Sequence, residues 1–90
     1  MDVKELLKES VVRGLKEQAA EQAGQALREA DPLEIINLCM IPALDSVGKG
    51  FEKGTIFLPQ LLMSAEAAKA AFEVIKEAWR EADRLRRKRA

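Results

Sequence analysis

Apolar positions recur at helical spacing along nearly the whole chain, and four separate stretches can be read from them. In residues 3–13, "VKELLKESVVR", Val3, Leu6, Leu7 and Val11 fall on one side of a short helix that Gly14 is placed to end. Residues 15–29 form a second helix with a thinner stripe of Leu15, Ala19, Ala23, Ala26 and Leu27. Such small residues permit close approach but bury little area each, so this helix is expected to be partly peripheral. The sharpest boundary is "ADPLEIINL": Asp31 suits an N-cap, Pro32 the first helical position, and Glu34 completes a capping-box-like arrangement. A third helix then spans 32–53, with Leu33, Ile36, Met40, Leu44, Val47 and Phe51 on one broad face and Gly54 at its end. Pro42 lies inside it, removes one backbone donor, and predicts a kink near 38–42. Pro59 opens a fourth helix carrying Leu62, Ala65, Ala68, Phe72, Ile75 and Trp79 toward residue 85, roughly 40 Å long at the usual rise.

No strand alternation and no internal repeat stand out. The connections at 14, 30–31 and 54–58 are short, which makes successive helices antiparallel neighbours. The expected fold is all-α, an up-down four-helix bundle formed by residues 1–90 as a single domain. Composition agrees: 48% hydrophobic and 33% charged residues with only 4% aromatic is an Ala- and Leu-based helical protein.

Charge alters the picture at one end only. The chain is neutral overall, yet residues 76–90 hold seven basic groups against three acidic ones, and residues 1–75 carry the compensating −4. "RLRRKRA" lacks interleaved aromatics or glycines, so a solvated helix end favoured by its own dipole is the simpler reading, and nucleic acid is an unlikely partner. No apolar run approaches the length of a membrane span, no signal peptide is visible, and the single Cys39 fits a reducing, cytoplasmic setting.

Candidate chemistry is sparse. There is no histidine, so the commonest general base and metal ligand are missing, and neither Ser10, Ser46 nor Ser64 has an activating partner. Gly48, Gly50 and Gly54 match no phosphate-binding loop and follow no strand. Glu66 and Glu73 read as solvated surface, and Cys39 as a small core residue. No catalytic or metal-ligating residue is assigned, and the chain by itself is expected to catalyse nothing.

What remains is "VGKGFEKGTIFLPQLL", residues 47–62, which holds Phe51 and Phe57 around a turn. Spacing leaves two readings open. Phe51, Phe57 and Leu58 either fold inward and staple a helical hairpin, or stand at one end of the bundle with something covering them.

The pieces "DPLEI", "IPAL", "VGKGFEKGTIFLPQ" and "SAEAAK", in this order and at this spacing, resemble the helical cap of cobalamin-binding proteins. That family includes methionine synthase and the small corrinoid proteins of methyltransferase systems. The resemblance is strong over residues 31–72 and looser over 1–30. It implies a four-helix cap that shields the upper face of methylcobalamin, with Phe51 and Leu58 flanking the methyl group and Val47 and Gly48 in the same cofactor-facing motif. It also implies a partner, either a corrinoid-binding domain or a methyltransferase subunit. The family's cobalt-ligating histidine belongs to a downstream "DxHxxG" motif on a Rossmann-like domain, which this sequence lacks. A cap without that domain is expected to hold cobalamin weakly alone and to hide its uncovered end by homodimerisation. The alternative function is a stand-alone interaction or regulatory module that handles no cobalamin.

Overall fold

The computed structural model describes residues 2–89, with side chains described through Leu85. Among them are four helices and no strand. Helix α1 is Val3–Arg13, and Asp2 caps it by accepting a hydrogen bond from the Lys4 N–H. Helix α2 is Lys16–Ala26. Helix α3 is one continuous rod in three pieces: an α turn Pro32–Ile35, a π turn Ile36–Met40, and an α segment Ile41–Lys53. Helix α4, Leu58–Arg89, has 32 residues and sets the 51 Å long axis of the molecule.

Helix α2 stops earlier than its pattern predicts. The N–H groups of Arg28 and Glu29 bond back to Gln25 and Ala26, three residues away, so the helix tightens and unwinds. Downstream, Asp31 before Pro32 is extended with ψ at 165°, a conformation that a following proline favours, so the helical path has ended by this residue. From that position its side chain caps α3 by accepting from the Glu34 N–H at 2.9 Å.

Pro42 is absorbed by the π turn. In place of an α-helical bond, the Ile41 N–H reaches back five residues to the Ile36 carbonyl. This wider turn adds a residue and resets which side of α3 faces inward. Ile35, Cys39, Met40, Ala43 and Val47 are buried, whereas Leu33, Leu38, Ile41, Leu44 and Phe51 are exposed. The single broad face expected for α3 is thus divided, with Met40 and Val47 inside and Leu33, Leu44 and Phe51 outside.

Helix α2 is not peripheral. Ala19, Ala23 and Ala26 are fully buried against α4, whose own facing residues are Ala67, Ala68 and Ala71. The two helices run in the same direction, since Lys16 pairs with Glu66 at 3.9 Å and Gly24 lies opposite Val74. Small side chains let these backbones approach, and many close contacts replace a few bulky ones. Leu7 and Val11 of α1 and Ile75 of α4 complete the core. Ser10, also buried, hydrogen-bonds with the Leu6 carbonyl and with the Gln22 side-chain amide, tying α1 to α2. No buried side-chain polar atom among the described residues lacks a partner.

The core contains no fully buried aromatic. Phe72 is half-buried, while Trp79 is exposed and walls a groove of about 520 Å³ with Ile36, Phe72 and Ile75. No described helix is long and apolar enough to cross a membrane. The basic side chains from Arg86 onward lie outside the described residues.

Candidate functional site

The end of α3 and the start of α4 are joined by four residues, 54–57, whose geometry is set by Gly50 and Gly54. Gly54 has φ at +82°, left-handed backbone that only glycine adopts without strain, and its N–H closes on the Phe51 carbonyl at 3.2 Å. The Gly50 carbonyl then accepts from the Thr55 N–H at 2.9 Å, the Ile56 N–H at 3.0 Å and the Thr55 hydroxyl at 3.1 Å. A Cβ on Gly50 would stand 2.6 Å from Ile56 Cδ1, so a side chain at 50 would make Ile56 shift from its place over α3. Gly50 and Ile56 escaped the sequence reading. The signal that marks them is the alternation Thr55–Ile56–Phe57 across a turn too short for both apolar side chains to point inward.

With Ile56 turned in, its neighbours are turned out. Phe51 in the last turn of α3 is 45% exposed, Phe57 is 72% exposed, and Leu58 at the first position of α4 is 56% exposed. The inward staple is therefore not formed. Leu62 and Met63, in the next turn of α4, are exposed as well.

Val47 and Gly48 occupy different environments. Val47, one turn before Phe51, is only 2% exposed and fixes the end of α3 to the core. Gly48 is exposed, and a Cβ built on it would meet nothing within 4 Å. At helical spacing Gly48 falls between Leu44 and Phe51, so the outer ridge of α3 has a notch at that point.

The charges nearby are ordinary surface pairs, such as Lys49 with Asp45 at 3.1 Å. No cluster of His, Cys, Asp or Glu among the described residues could hold a metal ion. Cys39 is buried in the core, where desolvation pushes its thiol pKa up and keeps it protonated. Phe51, Phe57 and Leu58 offer apolar contact surface at this end of the bundle.

A family model described as "B12 binding domain" matches residues 3–76. Trimethylamine corrinoid protein 1 of Methanosarcina mazei is 48% identical over 61 residues, covering 67% of this chain and 28% of that protein. Trimethylamine corrinoid protein 2 of Methanosarcina acetivorans is 43% identical over 70 residues, covering 77% and 32%. Dimethylamine corrinoid protein 1 of the same organism is 35% identical over 80 residues, covering 86% and 38%. The matches thus span about a third of the length of these curated relatives. No solved structure matches.

Proposed function

The chain belongs to the B12 binding domain family, and from that premise we propose that it is the helical cap of a corrinoid protein in a methyl-transfer system. In this reading Phe51 and Leu58 form the lid over the upper, methyl-bearing face of methylcobalamin, and Gly48 leaves room for the rim of the flat corrin. Val47 holds the lid to the core. One observation carries the proposal: a chain with a well-packed interior leaves Phe51, Phe57 and Leu58 outside it at one end.

Those residues suit a corrin face. They present apolar carbon and no competing charge, and the notch at Gly48 lets a planar group approach the helix backbone. When bound, the cofactor supplies a reactive methyl–cobalt bond. The work of this chain is to keep water and stray nucleophiles from that bond until transfer. For a substrate to reach the bound methyl, Phe51 and Leu58 would have to move aside, with the cap opening against its partner. That partner is a corrinoid-binding domain bearing a cobalt-ligating histidine, which this sequence does not contain. The names of the relatives favour a methylamine as methyl donor, received through a dedicated methyltransferase.

The test is reconstitution. Mixed with a histidine-bearing corrinoid domain loaded with methylcobalamin, the chain should co-elute with it in gel filtration and slow the loss of methyl under light. Absence of both effects sinks the proposal. Light scattering on the chain alone reads the competing occupant of the same surface, a second copy, as a mass of twice 10.0 kDa.

A further inference from the structure

Helix α1 ends against the first turns of α4. Gly14, with φ at +76°, carries the chain out of α1, and the Leu15 N–H closes on the Ser10 carbonyl at 2.9 Å. That closure leaves the Val12 carbonyl in the last turn without a helical donor. Two side chains of α4, one turn apart, take it: Ser64 Oγ donates at 2.8 Å and Gln60 Nε2 donates at 3.0 Å. Both acceptor sites of that oxygen are then used. The backbones touch at the same level, since a Cβ on Gly14 would lie 2.7 Å from Met63 Cβ and 3.0 Å from the Met63 carbonyl carbon.

The first turn of α4 has little else to hold it. Leu58 and Pro59 are exposed, and the residues turned toward the bundle there are the half-buried Gln60 and Leu61. Apolar contact alone tolerates sliding, whereas a hydrogen bond from an amide to one carbonyl is directional. Gln60 stands two residues after Leu58, so the bond acts on the turn that aims it.

The geometry points to Gln60 as a positioning residue: with Ser64 it clamps the start of α4 to the end of α1 and sets the direction in which Leu58 leaves the bundle. The inference rests on the lid reading and adds to it a residue that touches no cofactor. Helix α1, distant in sequence, thereby becomes part of the lid's support.

Gln60→Met keeps the length and volume of the side chain and removes the donor. Amide hydrogen exchange in the isolated chain should then quicken about five- to tenfold at Leu61, Leu62 and Met63, the cost of one net hydrogen bond read locally. Exchange at Ala71 and Ile75, in the middle of α4, should stay as in the wild type, which also shows that the fold persists. With a methylcobalamin-loaded corrinoid domain, the variant should shield the methyl less well than the wild type. Unchanged exchange in the first turn, or an equal rise at Ala71 and Ile75, overturns the positioning role. So does a Gln60→Met chain that shields as well as a wild-type chain that itself shields. A wild-type chain that gives no shielding sinks the lid reading instead.

Discussion

Phe51 shows most directly what single residues contribute. A fully buried phenylalanine costs about 3–5 kcal/mol when cut to alanine, because transfer and cavity terms add. At 45% exposure in a helix's last turn, Phe51 leaves no closed cavity, and Phe51→Ala should cost about 1 kcal/mol in chemical denaturation. A loss in the fully buried range would mean that the ring serves the core and not a partner. Cys39 behaves oppositely. Burial raises its thiol pKa above the unfolded value of about 8.5, so folding favours the protonated form. Its contribution to stability is complete below that pH and is lost as pH climbs toward the higher folded value. Stability should therefore fall more steeply in this alkaline range for the wild type than for Cys39→Ala. Several residue roles were readable beforehand, because Asp31, Pro32 and Gly54 each have a local reason for their place. Gly50 was not, since only the fold brings Ile56 over it.

Among the elements, the four helices follow from periodicity and punctuation, and their order gives the up-down path. The weight of α2 did not follow. Alanines score as weakly hydrophobic, yet Ala19, Ala23 and Ala26 are buried in one cluster with Ala67, Ala68 and Ala71 of α4, and closeness compensates for size. Such an interface has no room to spare. Ala23→Leu should destabilise the bundle by about 1–3 kcal/mol through overpacking, visible as a lower thermal midpoint, although leucine is the larger hydrophobe. The π turn in α3 was equally hidden. Pro42 announces a missing N–H and an irregularity near 38–42, but not that it takes the form of the π turn Ile36–Met40. Here Ile35, Cys39, Ala43 and Val47 are aligned with the core, and Leu44 and Phe51 are left on the outer side.

At the scale of the whole molecule, the packed alanine interior and the uncovered Phe51–Leu58 end are two halves of one design. Phe72 packs against the interior from its edge, whereas Phe51 and Phe57 stand outside it. Periodicity alone did not reveal this, because Phe51 and Leu58 fit an inward staple as well as an outward lid. The motif from Val47 to Gln60 pointed outward, and the exposure of Phe51, Phe57 and Leu58 agrees with it. Among the described residues, Lys76, Arg80 and Arg84 lie several turns along α4 from Leu58. The most direct measurement is the photolysis rate of methylcobalamin held by a histidine-bearing corrinoid domain, followed in visible light with and without this chain. Wild-type chain should slow photolysis, and Phe51→Ala and Leu58→Ala chains, still folded by circular dichroism, should protect much less. Equal rates with and without the wild-type chain, or full protection by both variants, would contradict the account.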